Sequence, residues 1–340
     1  MRARAAPRRL ALPAVMAVAM VLAVGPALAQ KLPRLVLSGP MAPVSNPLVH
    51  MAATGALADI ADSVEFVTWR DPDQLRSMAL EGKADVLAMP VNVAANLHNR
   101  GAKLRLLNVS TWGVLWMVSR DPDLKTLADF RGKEIAMPFR GDMPDIVFGL
   151  LAEEQGIDAR KDLQLRYVAS PIDAMQLLVM RRVDHALLAE PAVSMALRKT
   201  RSFPLSTVAP ELHRSVDLQQ EWGRVFQRSP RIPQAGVALM ASVKDRPAFV
   251  ARIEAEYARS LLWCKARAAD CGKLVASRID ALTPEAVADA MASGQMEAVP
   301  AAAARAEVEF LLDRLVRKNP ALVGGKMPDD DFYGRGTTRK

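Results

Sequence analysis

Several residue types are scarce in this 340-residue sequence, and each scarcity argues against a class of function. Aromatic residues make up 5% of the chain and no run of Lys or Arg exceeds two, a poor basis for binding nucleic acid. The four histidines are scattered at spacings that form no metal-ligand motif, so we expect no metal. Beyond residue 30 no apolar run approaches the length of a membrane span, so we expect a soluble mature protein.

Cysteine is nearly absent as well. The two cysteines, Cys264 and Cys271, have six residues between them. In an exported protein such a close pair can oxidise and close a local loop. We therefore predict a structural disulfide between them.

The amino-terminal segment has the composition of an export signal. It carries four arginines in its first nine residues, an apolar run over residues 10–24, and the small-residue pattern Ala27-Leu28-Ala29 before Gln30. A retained membrane anchor is the alternative, but a run of about 15 residues is shorter than the roughly 20 that span a bilayer. We predict that residues 1–29 form a signal peptide whose cleavage leaves a periplasmic protein. Its loss removes four arginines and no acidic residue, which lowers the formal net charge from +8 to +4.

The mature chain is longer than one hydrophobic core usually supports. From residue 34 short apolar runs alternate with amphipathic stretches, a pattern typical of a parallel α/β sheet. The same order recurs about a hundred residues later, where residues 182–184 correspond to residues 83–85. We predict an α/β protein with two similar lobes, each a mainly parallel sheet flanked by helices. The predicted division places residues 30–117 and 236–340 in the first lobe and 118–235 in the second.

Five short motifs occur in the order found in a known family. The most specific is residues 127–136, LADFRGKEIA, followed by residues 81–85, 189–191, 232–234 and 328–333. In these motifs the chain resembles the periplasmic substrate-binding proteins of ABC importers of the nitrate, sulfonate, taurine and thiamine-precursor type. The resemblance implies a type II binding-protein fold, in which two lobes joined by a double crossover close on a ligand. It also implies a small-molecule ligand, a partner permease with its ATPase, and a monomer without a cofactor.

Ligands of open α/β sheets lie beyond the carboxyl ends of the strands, which selects the candidate binding residues. In the first lobe these lie in the stretches 38–43, 69–70, 90–92 and 110–112, and include Ser38, Gly39, Pro40, Met41, Trp69, Arg70, Pro90, Asn92, Ser110 and Trp112. In the second lobe they lie in the stretch 139–144, at Ser170 and at single positions beyond, and include Phe139, Arg140, Gly141, Asp142, Met143, Glu190 and Trp222.

The charge expected for the ligand depends on the residues at the amino end of the helix that starts at Asp142. A free helix amino end favours an anion, and the anion-binding relatives carry Gly followed by Ser or Thr there. Here Gly141 is followed by Asp142, whose carboxylate occupies or repels the place of the anion, and Asp is a preferred helix cap. Arg140 and Arg70 keep an anion possible, but a neutral or amine-bearing ligand is favoured.

Two other functions share this fold. Some relatives make a thiamine pyrimidine, yet the sequence shows no cysteine-rich or histidine motif, no Ser-His-acid grouping and no phosphate loop at a predicted strand end. We therefore expect no enzyme activity. The other alternative is a ligand sensor that docks to a membrane receptor instead of a permease, which a sequence alone does not distinguish.

Overall fold

A computed structural model describes residues 31–203, 205–208 and 211–334. The predicted signal peptide, residues 1–29, lies outside the described residues. No helix among the described residues is both long and apolar enough to cross a bilayer.

Strands and helices alternate along most of the described chain. The strands are β1 (Leu35–Gly39), β2 (Val64–Thr68), β3 (Val86–Pro90), β4 (Leu104–Gly113), β5 (Leu115–Ser119), β6 (Glu134–Pro138), β7 (Gln164–Val168), β8 (His185–Ala189), β9 (His213–Asp217), β10 (Ala235–Met240) and β11 (Gln295–Pro300). The helices are α1 (Asn46–Ala53), α2 (Pro72–Leu80), α3 (Val91–Asn99), α4 (Met143–Glu154), α5 (Pro171–Val179), α6 (Ala192–Arg201), α7 (Leu205–Val208), α8 (Leu218–Phe226), α9 (Pro247–Ala266), α10 (Ala268–Ala276), α11 (Pro284–Ser293) and α12 (Ala301–Lys318). Short 3₁₀ helices cover Pro43–Ser45, Leu127–Phe130, Pro320–Val323 and Asp330–Tyr333.

The strands form two sheets built on one plan. The first has the order β2-β1-β3-β10-β4-β11 and the second the order β7-β6-β8-β5-β9. In each, three strands pair in parallel and a strand that arrives from the other sheet then pairs antiparallel on both sides. We call the first sheet with its helices the first lobe and the second sheet with its helices the second lobe. The sheets are thus mixed rather than mainly parallel, because the incoming strands β10 and β5 run antiparallel to their neighbours.

The chain passes between the sheets twice. It leaves the first sheet at the end of β4 and enters the second at β5, with Val114 between them. It returns through α8 and the segment 227–234 into β10. Gly236 allows β10 to lie against β4, because a Cβ there would stand 1.9 Å from the carbonyl oxygen of Asn108. The predicted lobe limits after residues 117 and 235 stay predictions, and each falls within a few residues of one passage.

Local sequence explains where helices α2 and α4 begin. Asp71 accepts the backbone N–H groups of Asp73 and Gln74, and Pro72 follows as the first residue of α2. Asp142 accepts the N–H of Met143 at the start of α4, as the sequence predicts for a capping residue. The apolar positions of α4, among them Ile146, Val147, Leu150 and Leu151, are buried.

Candidate functional site

A cleft with a cavity of about 120 Å³ lies at the carboxyl ends of the strands. Both lobes contribute to its lining, and most of the lining side chains are apolar. The lining residues are Pro40, Met41, Ala42, Val44, Trp69, Arg70, Pro72, Met89, Pro90, Thr111, Val114, Leu115, Phe139, Asp142, Met143, Pro144, Ser170, Pro171, Ile172, Ala189, Glu190, Ala192, Gln234 and Ala235.

The first lobe contributes an apolar wall in which one ring is fixed. Trp69 follows β2 and is buried, and its indole N–H donates to the carbonyl of Ala88 at 3.0 Å. That bond fixes the ring, so its position does not depend on a ligand. Met41 follows β1 and Met89 lies in β3, and their flexible thioethers can adapt to the shape of a bound molecule.

Two neutral polar side chains lie where the lobes join. The backbone N–H of Gln234 donates to the carbonyl of Thr111 at 3.0 Å, which places the two residues side by side. The carboxamide oxygen of Gln234 accepts the N–H of Val114 at 3.1 Å. Thr111 is buried, and its hydroxyl has no hydrogen-bond partner among the described residues.

The second lobe turns sharply into α4. Phe139 has a φ of 55° and Gly141 a φ of 73°, both in the left-handed region. A non-glycine residue adopts that region at an energetic cost, and such positions gather at binding sites. The turn places the ring of Phe139 at the cleft, opposite the wall of the first lobe.

Asp142 is a buried carboxylate with two partners. One oxygen accepts the N–H of Met143 at 3.0 Å, and the other lies 3.5 Å from a guanidinium nitrogen of Arg76 on α2. Burial raises the pKa of Asp142 above its usual value, while the charge of Arg76 and the Met143 N–H act in the opposite direction. Since α2 belongs to the first lobe, this ion pair joins the two lobes.

Glu190 is the second buried carboxylate at the cleft. One oxygen lies 2.6 Å from the guanidinium of Arg214 on β9 and also accepts the hydroxyl of Ser293 at 3.3 Å. The other accepts the N–H of Ser194 in the first turn of α6 at 3.1 Å. Its side chain is fully buried, so its charge is neutralised by protein groups alone.

Four of the helices that begin at the cleft have a side chain of the protein bonded at their amino ends. Asp71 caps α2 with bonds of 3.0 and 2.8 Å, and Asp142 and Glu190 serve α4 and α6. At α5 the hydroxyl of Ser170 accepts the N–H of Asp173 at 3.2 Å. One or two amides at each of these four helix ends are therefore already bonded to a side chain, whereas α3, which follows Pro90 of the lining, has no side-chain cap.

Arg70 is the remaining charged residue of the lining. It is exposed, and within the described residues its guanidinium takes part in no ion pair. Asp71 and Asp73 follow it within three residues, so the rim carries both signs of charge.

Nine of the seventeen predicted binding residues line the cleft. They are Pro40, Met41, Trp69, Arg70, Pro90, Phe139, Asp142, Met143 and Glu190. The structure brings them together from both lobes, as the strand-end rule predicts. Whether they touch a ligand stays a prediction.

The other eight do not line the cleft, and most have other partners. The Ser38 hydroxyl donates to Val67, Ser110 bonds Tyr257 at 2.7 Å, and the carbonyl of Gly39 accepts the N–H of Trp69. Asn92 is buried outside the cleft. The N–H of Gly141 donates to Asp145, and Arg140 lies over the ring of Tyr167.

The two remaining tryptophans are structural. The Trp112 indole donates to the carbonyl of Glu297 at 2.9 Å, and Arg231 covers its ring at 3.7 Å. Trp222 is fully buried against the rings of Phe226 and Phe310. Of the three tryptophans among the predicted binding residues, Trp69 is thus the one that lines the cleft in the described structure.

Several lining residues escaped the strand-end rule. Gln234 precedes β10 and so stands at the amino end of a strand that runs against its neighbours. Leu115 begins β5 in the same way, and Ile172 belongs to the first turn of α5. The signal for Gln234 was present, since residues 232–234 form one of the family motifs.

The predicted disulfide is present away from the cleft. The sulfur atoms of Cys264 and Cys271 are bonded, and the bridge links α9 to α10. Among the described residues no group of three His, Cys, Asp or Glu side chains is placed to hold a metal ion.

Comparison with protein families identifies the family of this protein. The model of the phosphonate-type periplasmic substrate-binding proteins of ABC transporters matches residues 58–256, more than half of the chain. The chain belongs to this family. Membership in the ABC-transporter substrate-binding proteins confirms the predicted solute-binding role. It also implies a periplasmic location, a small-molecule ligand and an ABC permease as partner.

Solved structures of substrate-binding proteins share the fold. An ABC transporter protein from Parabacteroides distasonis has 21% identity and a TM-score of 0.70, over 88% of this chain and 98% of that one. The nitrate-binding protein NrtA from Synechocystis PCC 6803 has 13% identity and a TM-score of 0.67, over 89% and 85%. The aliphatic sulphonate-binding protein SsuA from Escherichia coli has 15% identity and a TM-score of 0.63, over 87% and 92%. These likenesses confirm the two-lobed α/β fold. No curated protein sequence matches the chain.

Proposed function

We propose that this substrate-binding protein captures a small organic molecule in the cleft between its lobes and delivers it to a permease driven by a partner ATPase. The observation that carries the proposal is the lining itself, because residues of both lobes face one cavity. A ligand that contacts both lobes stabilises the closed form by its differential affinity for that form. The permease then distinguishes loaded from empty protein by shape.

Further details belong to the same proposal. The protein acts as a monomer in the periplasm after residues 1–29 are removed, and the lobe limits lie close to residues 117 and 235. The nine predicted residues that line the cleft form the binding surface.

The chemistry of the lining supports binding rather than catalysis. The lining contains no histidine or cysteine within the described residues, and its two carboxylates are held by Arg76 and Arg214. A general base or nucleophile has to be free to exchange a proton or attack a substrate. We infer that the cleft leaves its ligand chemically unchanged.

The test is to identify and rebind the natural ligand. Small molecules released from the purified protein are identified by mass spectrometry and added back in a thermal-shift titration. At a hundredfold excess over Kd a ligand stabilises by roughly 2.7 kcal/mol, which raises Tm by several degrees.

Two matched variants locate the binding site. Met41→Arg places a charge in the cleft, and Leu80→Arg makes the same change at an exposed apolar residue outside it. We expect the thermal shift to persist in Leu80→Arg and to vanish in Met41→Arg. Equal shifts in both variants, or no compound that shifts the wild type, would overturn the proposal.

A further inference from the structure

The interior of the cleft offers an oxyanion no unpaired cation among the described lining residues, since Arg70 lies at the exposed rim. Asp142 is held by Arg76 and Glu190 by Arg214, so the buried charges are already compensated within the protein. Asp142, Ser170 and Glu190 each bond one amide at the amino ends of α4, α5 and α6, and α3 has no side-chain cap. A phosphonate or sulfonate here would meet two carboxylates and lose its hydration without a free buried cation to compensate its charge.

A free cationic ligand meets a similar difficulty. An ammonium group at Asp142 would have to displace Arg76, which already lies 3.5 Å from the carboxylate. At Glu190 it would have to displace Arg214 and Ser293. Arg70 is the unpaired charge of the described lining, and it is an exposed cation at the rim. A cation therefore has no uncompensated carboxylate to bind in this cavity.

The unsatisfied group inside the cleft is a neutral hydroxyl. Thr111 is 3% exposed, lines the cavity, and its Oγ1 has no hydrogen-bond partner among the described residues. A buried hydroxyl without a partner is destabilising, and native proteins keep few of them. Gln234 lies beside it, and no hydrogen bond joins its side-chain nitrogen to a described residue. A hydroxyl and a carboxamide together recognise one uncharged polar group.

We propose that the cleft selects a small uncharged molecule, mainly apolar, whose single hydroxyl, carbonyl or amide group bonds Thr111 with the help of Gln234. The inference rests on the proposed capture function. The apolar body lies between Trp69 and Phe139, and Met41 and Met89 adapt to its outline. The buried carboxylates take no part in recognition.

The first experiment compares one ring bearing three different groups. Benzamide, benzylamine and phenylphosphonate are titrated into the full mature protein by calorimetry at low and high salt. We expect benzamide to bind with a Kd of about 1 mM or lower, unchanged by salt, and the two ions to bind at least ten times more weakly. Tighter binding of either ion, or no binding of benzamide at about 10 mM, overturns the proposal.

The second experiment removes the hydroxyl while keeping the side-chain shape. Thr111→Val should weaken benzamide binding about tenfold and leave the melting temperature of the empty protein unchanged or higher, because the lost hydroxyl had no partner. Thr200→Val is the control, since that hydroxyl is equally buried but bonded to the carbonyls of Ala196 and Leu197. We expect it to lower the melting temperature and leave the affinity unchanged.

The two proposals fail separately. If Thr111→Val binds benzamide as tightly as the wild type, Thr111 does not recognise the ligand and the proposed ligand class falls. If a compound released from the protein still shifts the wild type and not Met41→Arg, the capture function stands all the same. If no compound shifts the wild type, both fall.

Discussion

The two lobes contribute equivalent positions to the cleft but place different side chains there. In each lobe an aspartate precedes the strand that lies next to the incoming strand. Asp85 precedes β3, and its carbonyl accepts the N–H of Met240 in β10. Asp184 precedes β8, and its carbonyl accepts the N–H of Arg120, which follows β5. After that strand the first lobe continues with Pro90 into α3 without a side-chain cap, whereas the second continues with Glu190, which bonds the first turn of α6.

The difference extends to the whole cleft. The first lobe presents apolar groups and the neutral Thr111 and Gln234, whereas the second presents, beside Phe139 and other apolar groups, Asp142 and Glu190, both buried and both ion-paired. We infer a division of work in which the first lobe recognises the ligand and the carboxylates of the second hold the structure of the cleft. That division predicts different consequences for changes in the two lobes.

The largest effect is expected at Glu190. Glu190→Ala leaves the Arg214 guanidinium and the N–H of Ser194 without their partner, and removing one member of a buried pair costs about 3 kcal/mol or more. Urea unfolding measures the change, and Glu211→Ala is the control, because its ion pair with Arg201 is exposed. If Glu190→Ala loses no more stability than Glu211→Ala, the carboxylate is not structural, and the proposed division of roles between the lobes is wrong.

A smaller effect of the opposite sign is expected at Asp142. Burial raises the pKa of this carboxyl, so the folded state binds the proton more tightly than the unfolded chain. Its contribution is therefore most favourable below the unfolded pKa of about 4 and is lost as pH rises through the raised folded pKa. Asp142→Asn keeps a good helix cap and removes the buried charge. We therefore expect the variant to be as stable as the wild type at pH 7 or more stable, by up to about 1 kcal/mol. The difference in the free energy of unfolding should decrease towards pH 3, where the wild-type carboxyl is protonated.

The matched control for Asp142 is Asp73→Asn. Asp73 also lies 3.5 Å from Arg76, but its side chain is fully exposed. Its replacement removes one partner of the same guanidinium without removing a buried charge, so its stability should follow the wild type across the pH range. A loss of stability in Asp142→Asn that grows between pH 4 and 7 would show that the ionised carboxylate stabilises the fold.

Sequence alone predicted the plan of the lobes because that plan depends on local patterns. The alternation of apolar runs with amphipathic stretches, and the aspartate before α4, are read from neighbouring residues. The mixed direction of the sheets was missed, since an incoming strand such as β10 has the same apolar composition whether it runs parallel or antiparallel.

The binding residues were predicted less well, because residues at strand ends were chosen without knowing on which face of the sheet each side chain lies. Within the stretch 110–112, Thr111 lines the cleft while Ser110 and Trp112, one position to either side, bond elsewhere. Successive side chains of a strand point to opposite faces, so a one-residue difference decides the role, and no local pattern marks which face meets the cavity. Trp222 failed for another reason, since its neighbour Phe310 is distant in sequence.

The smallest effect is expected where the lobes meet outside the cleft. Arg198 on α6 bonds Asp289 on α11 through two nitrogens, at 2.5 and 2.9 Å, but the two side chains are 50% and 39% exposed. Exposed pairs contribute about 0–1 kcal/mol, and α11 also buries Ala286, Val287, Ala290 and Met291. Arg198→Ala should therefore change unfolding by about 0.5 kcal/mol and benzamide affinity less than twofold.

A double-mutant cycle with Asp289→Ala isolates the pair, measured at low and high salt. A coupling of a few tenths of a kcal/mol that disappears in high salt is the expected outcome. A coupling above about 1.5 kcal/mol, or a tenfold change in affinity, would mean that charges outside the cleft set how the lobes close. Closure would then depend on ion pairs as well as on the ligand, and the contrast between a recognising lobe and a structural one would need this contact added to it.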